Sequence, residues 1–368
     1  VGERWLPKLG GVANLKRVAW PGLLVALVVT AGVVTLCGIG FFTSGEKTRD
    51  GSRIVRSITG SGSTAQKGAM DAWRAEFRRM HPDFRVDYRA NGSGAGIRDF
   101  IAGATAFAGS DVVMSSEEQG RADRRCGGRA LHLPMVIGPV AVAYNLPSVP
   151  DLRLSPGTLT GIFSGRITRW DAKEIAADNP GVRLPDARVR PVHRAGESGT
   201  THNFTAFLRA MGRWPHEPSM VWRGAGPAIG GSDGIVQVIQ YSEGSIGYVE
   251  YGYASNARLR IAKIRNASGR FVELSPESAT RAMEGARVVD GEHGPIVRFD
   301  YRTRIPGAYP IVMITYEIAC EGEPDPLVRT FLSYTAGDAG QSYLALYGYA
   351  PLPHDILASV RTRLGLSS

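Results

Sequence analysis

His193-Arg194-Ala195-Gly196-Glu197-Ser198-Gly199-Thr200, running into Thr201-His202-Asn203-Phe204-Thr205-Ala206-Phe207-Leu208, is a polar, glycine-containing loop that feeds a helix-patterned segment. It sets an arginine, two hydroxyls and a glycine-freed backbone at a helix start, where the first N–H groups lack acceptors and the dipole favours negative charge. That is the composition of a socket for a small oxyanion. One such loop carries little weight, since glycine and serine punctuate loops in most proteins. Two further clusters add to it. Gly60-Ser61-Gly62-Ser63-Thr64 precedes Met70, Trp73, Phe77 and Met80, apolar residues near helical spacing, with Arg74, Arg78 and Arg79 largely on other faces. Asn91-Gly92-Ser93-Gly94-Ala95-Gly96 precedes Ile97, Phe100 and Ile101, again a single apolar stripe. Thr64 and Ser93 are therefore predicted near helix N-termini, and three such starts point to amide and hydroxyl donors that converge.

Around these loops, short apolar runs rich in β-branched residues alternate with amphipathic segments, the mark of α/β organisation. Strands are predicted at 134–145, 246–253 and 311–319, and helices around 64–80, 94–102, 200–211, 235–241 and 327–335. No internal repeat of about 20 to 50 residues stands out. The 368 residues, 43% hydrophobic and 21% charged, suffice for two medium domains with real cores and exclude a disordered chain. The net charge of +9 is spread along the chain with no basic block interleaved with aromatics, which argues against nucleic acid. It suits encounter with anions or an anionic envelope.

Residues 18–42 contain no charge, follow Lys8, Lys16 and Arg17, and lead into a polar stretch at 43–50. A secretory apolar region is about 7 to 15 residues long whereas about 20 span a bilayer, so this run reads as a transmembrane signal anchor with its basic end inside. Cys37 is a candidate lipid attachment point, although Val34-Thr35-Leu36-Cys37 places Leu36 where lipoprotein patterns want a small residue. Either way the remainder lies outside the membrane. Cys126 and Cys320 are then free to form a disulfide in an oxidising compartment, two buried thiols being the alternative. Closing so long a loop would restrict the unfolded chain by about 3 to 5 kcal/mol.

Competing chemistries are weaker. Gly196-Glu197-Ser198-Gly199 has part of the pattern of a serine hydrolase nucleophile elbow, with His193 nearby, but Thr200 stands where the second glycine belongs. Gly92-Ser93-Gly94-Ala95-Gly96 lacks the spacing of a dinucleotide loop, and no Gly-Lys-Ser/Thr ending occurs. The seven histidines show no metal-ligand spacing. Trp73, Trp170, Trp214 and Trp222 are expected as core or lobe-surface anchors before ligand contacts, because a hydrated oxyanion offers no apolar face to stack upon. Arg89 and Arg98 beside the second cluster are expected on a solvated face.

The ordered run of motifs extends the argument. Phe107-Ala108-Gly109-Ser110-Asp111 lies between the second and third clusters, and 133–147 (Leu-Pro-Met-Val-Ile-Gly-Pro-Val-Ala-Val-Ala-Tyr-Asn-Leu-Pro), 162–171 (Ile-Phe-Ser-Gly-Arg-Ile-Thr-Arg-Trp-Asp) and 244–251 (Gly-Ser-Ile-Gly-Tyr-Val-Glu-Tyr) accompany them. Over roughly 54–365 the chain resembles the substrate-binding protein of the ABC-type phosphate importer, the PstS family. The resemblance implies a two-lobed α/β fold of the class II periplasmic-binding-protein type, with the ligand cleft between lobes. It implies a discontinuous first lobe at 54–142 and 305–368, a second lobe at 143–304, a linker at 43–53, the anchor at 18–42 and a cytoplasmic basic N-terminus at 1–17. It further implies inorganic phosphate as ligand, an ABC permease and its ATPase as partners, no cofactor and no enzymatic activity. A surface phosphate sensor or adhesin without transport is the alternative, and a serine hydrolase the remoter one.

Position by position, the resemblance makes Thr64 and the Ala65 amide the first donors and Ser93 the next. Asp111 becomes the acceptor of the phosphate proton, Arg194 the positive charge, and Ser198, Gly199 and Thr200 the remaining donors. Many relatives carry an aspartate two residues after the arginine; here Gly196 and then Glu197 stand there, which leaves Glu197 as a substitute or Arg194 less restrained. The chemistry of Asp111 follows independently. Phosphate near neutrality keeps at least one O–H to donate, whereas sulfate only accepts and would leave the carboxylate desolvated and unpaired.

Overall fold

The apolar run at 134–145 becomes the axis of the fold, a fifteen-residue strand, Ala130–Tyr144, buried along its whole length. The structure, a computed structural model, describes residues 55–366. Arg56–Gly62 (β1), Phe84–Ala90 (β2), Phe107–Ser110 (β3), Ala130–Tyr144 (β4), Arg190–Pro191 (β5), Ser245–Glu250 (β6), Arg260–Ile261 (β7) and Val312–Cys320 (β8) form an eight-stranded sheet. Its order is β2-β1-β3-β8-β4-β6-β5, with β7 paired to β4 beside that path. β4 serves two neighbours in succession: residues 130–139 pair antiparallel with β8, and residues 140–144 pair antiparallel with β6. A strand covered on both faces over its full length has no polar side to show, so its sequence reads as continuous apolar residues instead of alternating ones.

The helices that matter for the site and core are Lys67–Met80 (α1), Ser93–Ile101 (α2), Ser116–Cys126 (α3), Gly199–Gly212 (α4), Gly231–Tyr241 (α5), Tyr251–Asn256 (α6) and Pro326–Ala336 (α7). In the first lobe, successive residues of β3 point to opposite faces. Phe107 joins Met70, Trp73 and Phe77 of α1 and Val328 and Phe331 of α7. Ala108 joins Ile97 and Phe100 of α2 and Ala122 of α3. The second lobe packs Phe204 and Phe207 of α4 and Ile235 and Ile239 of α5 around Val142 and Tyr248. The result is the two-lobed α/β arrangement. Trp73, Trp170 and Trp214 are fully buried in these cores, and Trp222 packs against the second.

Several boundaries differ from the sequence reading. Helix α1 begins at Lys67, because Thr64–Gln66 is spent on a turn, closed by the Lys67 amide bonding the Thr64 carbonyl at 3.2 Å. The strand predicted over 246–253 stops at Glu250, and α6 starts immediately. Gly252 lies against the chain at Tyr347, whose carbonyl oxygen would be 2.3 Å from a Cβ, and a glycine in a strand interior is weak in any case. Helix α5 starts at Gly231, a turn earlier than its apolar pattern. The anchor expected at 18–42 and Cys37 lie outside the described residues; among the described residues no helix is long and apolar enough to cross a membrane.

Cys126 at the end of α3 and Cys320 at the end of β8 form a disulfide, with Cα atoms 5.3 Å apart at a sequence separation of 194. Replacing both by serine is expected to lower unfolding stability by about 2 to 5 kcal/mol. Urea denaturation of the oxidised protein and the double variant measures this; equal midpoints would show that the link adds nothing to stability.

Candidate oxyanion-binding site

Asp111 follows β3 and is buried at 4% exposure, a costly place for a carboxylate. Its Oδ1 accepts hydroxyl hydrogens from Ser63 at 2.6 Å and Thr315 at 2.7 Å. Its Oδ2 accepts from Ser93 at 3.3 Å, and the Asp111 amide returns a bond to Ser93 Oγ at 3.2 Å. Ser63 comes from the loop before α1, Ser93 from the first residue of α2, and Thr315 from β8 where its register against β4 shifts. Burial pushes the Asp111 carboxyl from 3.8 up to about 6; the Ser63 and Thr315 bonds pull it down, the Glu250 charge pushes it up and Arg194 pulls it down.

The second lobe meets this carboxylate through the N-terminus of α4. Gly199 makes the approach possible, since a Cβ there would stand 2.4 Å from Ser93 Oγ and 2.6 Å from Asp111 Cβ. Asn203, one turn on, donates from Nδ2 to the Asp111 carbonyl at 2.8 Å. Ser198 caps the helix by accepting the Thr201 amide at 3.3 Å. The amides of Gly199 and Thr200 open the helix, where no preceding turn offers them a carbonyl.

Arg194 is buried at 4% exposure, with its amide bonded to Tyr248 Oη at 3.2 Å and its Nη1 donating to Ser232 Oγ at 3.1 Å. Ser232 in turn bonds Thr64 Oγ1 at 3.0 Å, across the lobes. With the arginine N–H filling one lone pair of Ser232, the serine hydrogen can go to Thr64, which leaves the Thr64 hydrogen for a ligand. The Arg194 Nε is buried without a hydrogen-bond partner.

All eight predicted ligand residues thus lie at or beside the facing helix starts, although several have other partners. The Ala65 amide donates to Ser63 Oγ at 3.0 Å, and the Thr200 hydroxyl donates to Glu250 Oε1 at 2.6 Å. Glu197 does not reach Arg194. Its carboxylate pairs with Arg98 of α2, and its carbonyl accepts the Gly94 amide at 3.3 Å, so it ties one lobe to the other. Arg98, expected simply to be solvated, is half of that tie, while Arg89 lies 3.6 Å from Asp99. His193 stacks on Trp222 and directs its ring nitrogens at the carbonyls of Arg194 and Gly226, both at 3.0 Å, not at Ser198. The hydrolase reading therefore lacks its base.

Sequence reasoning missed Ser232, Glu250 and Thr315, and gave Ser63 no role. Gly230-Gly231-Ser232 was a fourth glycine–serine helix start, and Glu250 was the one charge in an otherwise uncharged strand, so two of these carried a readable signal.

Residues 43–339 match the model of the PBP superfamily domain. The phosphate-binding protein PstS 3 of Mycobacterium tuberculosis is 40% identical over 317 residues, covering 83% of this chain and 85% of the relative. The chain belongs to the PstS family. PstS 2 of the same organism is 35% identical over 362 residues, 94% of this chain and 98% of the relative. Two solved structures share the fold of this PstS-family chain. An ABC-type phosphate transport receptor from Vibrio cholerae aligns with a TM-score of 0.53 at 18% identity, over 80% of this chain and all of that one. The high-affinity periplasmic phosphate-binding protein PfluDING, bound with phosphate, aligns with a TM-score of 0.68 at 22% identity, over 83% and 93%.

Because burial raises the Asp111 carboxyl, its contribution to stability is fully present below about pH 3.8 and is lost as pH rises through about 6. The difference corresponds to about 3 kcal/mol at most. In ligand-free protein, D111N is therefore expected to be more stable than the parent chain at pH 8 and not at pH 4, as read by urea denaturation. Equal stability at pH 8 would remove the desolvation argument.

Proposed function

We propose that this PstS-family chain binds inorganic phosphate between its lobes, outside the cytoplasm, and delivers it to an ABC permease and its ATPase. The observation that carries this reading is the buried Asp111 carboxylate facing helix-terminal donors and the Arg194 guanidinium. An acceptor and a set of donors in one dry site match an anion that still bears a hydrogen. Arg194 supplies the positive charge. Thr64, Ser198 and the amides of Gly199 and Thr200 donate, while Asp111 accepts the phosphate proton. Ser93 and the Ala65 amide, bonded here to Asp111 and Ser63, complete the donor set by exchanging those bonds for the anion.

In this proposal the lobes are 54–142 with 305–368, and 143–304, and they close about the passes of chain near β4 and β8. Residues 18–42 hold the protein at the membrane, with 1–17 inside, 43–53 as a tether and Cys37 a candidate lipid site. The chain acts by binding and not by catalysis, in keeping with relatives named as phosphate-binding proteins.

Calorimetric titration of the full chain in detergent, stripped of phosphate, tests the reading. Tight one-to-one binding of phosphate with sulfate silent is expected; binding of neither anion would end it. D111N should narrow the phosphate-to-sulfate preference, which in sites built on a required hydrogen bond reaches about four to five decades. R194A should cost about 2 kcal/mol or more, roughly thirtyfold in Kd. Parent-like affinity in R194A would place the site elsewhere.

A further inference from the structure

Arg125, the penultimate residue of α3, lies against the Cys126–Cys320 disulfide. Its Nη1 donates to Cys320 Sγ at 2.7 Å and stands 3.9 Å from Cys126 Sγ. Its Nη2 donates to the Thr105 carbonyl at 3.0 Å, and its guanidinium covers the Phe100 ring of α2 at 4.2 Å from the centroid. Three contacts therefore fix this cation beside one sulfur. Each hydrogen bond it makes goes to a neutral acceptor, and a disulfide sulfur is a weak one. A half-buried guanidinium in that position is fully used only when the sulfur carries charge.

The two sulfurs differ in every respect that governs thiol–disulfide exchange. Attack on one sulfur expels the other, and the exchange runs faster when the departing thiol is the better thiolate and the attacked sulfur is accessible. Cys320 is 8% exposed and bonded by Arg125, which favours its thiolate. Cys126 is the more exposed of the pair and ends α3, where the helix carbonyls disfavour negative charge. Gly127 and Gly128 follow it, and a Cβ at either would meet only open space, which leaves an approach to Cys126 along the chain.

We infer that the disulfide is a reducible modification site, in which a dithiol reductant attacks Cys126 and Cys320 departs as a thiolate held by Arg125. The reductant's first thiolate bonds Cys126 Sγ as the Cys126–Cys320 bond breaks, and that electron pair stays on Cys320. Its second thiol, once deprotonated, attacks the mixed disulfide at the reductant's own sulfur, and Cys126 leaves. The dithiol is oxidised by two electrons to its disulfide and the protein disulfide is reduced. Of the two thiol protons, one ends on Cys126 and the other in solvent. Other charges surround the pair. Glu323, whose amide bonds the Cys320 carbonyl at 3.2 Å, opposes a charge on Cys320 and acts on Arg125, which burial lowers from its ordinary value. Arg329 of α7 lines the same cavity as Cys320 and Glu323, and Glu321 is occupied by Arg129 at 2.7 Å. Arg125 is the one of these bonded to sulfur. Reduction releases α3 from β8, the strand whose Thr315 bonds Asp111.

Reduction of the full chain in detergent by dithiothreitol at about pH 7.5, without denaturant, tests this when followed by the mass added on alkylation. The parent chain should be reduced while folded, R125M about tenfold more slowly, and R125K within about threefold of the parent. The direction separates the roles of Arg125. Losing its packing on Phe100 and its bond to Thr105 alone loosens the site and speeds reduction, whereas losing the charge beside the departing sulfur slows it. A second measurement needs no variant: glutathione added with excess iodoacetamide should leave glutathione on Cys126 and the alkyl group on Cys320, as read by peptide mass. Glutathione found on Cys320, R125M reduced as fast as the parent or faster, or a parent chain reduced only after unfolding would each overturn the inference.

Discussion

Taking the Asp111 carboxylate out of water costs several kcal/mol unless hydrogen bonds and opposite charge replace its hydration, and much of the polar architecture between the lobes meets that need. Ser63, Thr315 and Ser93 reach it from a loop, a strand and a helix that are far apart in sequence. Each is positioned by the first-lobe sheet and the segments that leave it. Its partial compensation leaves it poised near neutrality, the range in which phosphate changes its own protonation.

The positive half of the site is secured from a different direction. Tyr248 takes the Arg194 amide and bonds Thr201 Oγ1 at 2.7 Å, while its ring stacks on Phe204 of α4 with centroids 4.5 Å apart. Phe204 also meets Phe163 edge to face at 5.0 Å. The hydrophobic packing of the second lobe therefore fixes both the guanidinium strand and the helix start that faces Asp111. Misplacing either by an ångström would require repacking large buried rings, which close-packed interiors resist.

What could be read in the sequence follows from how local each cause is. Helix starts rich in glycine and hydroxyls were legible at Thr64, Ser93 and Ser198 because their chemistry is set by neighbours in the chain. The long run at Ala130–Tyr144 was legible as a strand because burial on both faces leaves no polar alternation. Thr315 was not, since a threonine in an apolar strand looks like any β-branched residue until pairing with β3 brings it beside Asp111. Glu197 was weighed as a partner for Arg194 because it lies close along the chain, with a less restrained Arg194 as the alternative, whereas lobe-to-lobe packing pairs it with Arg98. The pairing of Cys126 with Cys320 was the easiest long-range relation to find, because chemistry restricts it to one partner.

That covalent link has a topological meaning beyond stability. It joins the helix after Asp111 to the strand that carries Thr315, so the chain from Cys126 to Cys320 is one covalently closed loop. A cut anywhere between Cys126 and Cys320 opens the loop but leaves the two flanking pieces tied beside the carboxylate. Separating those pieces would need reduction as well as cleavage, so a single backbone break between the cysteines does not detach Thr315 from the part of the chain that holds Asp111.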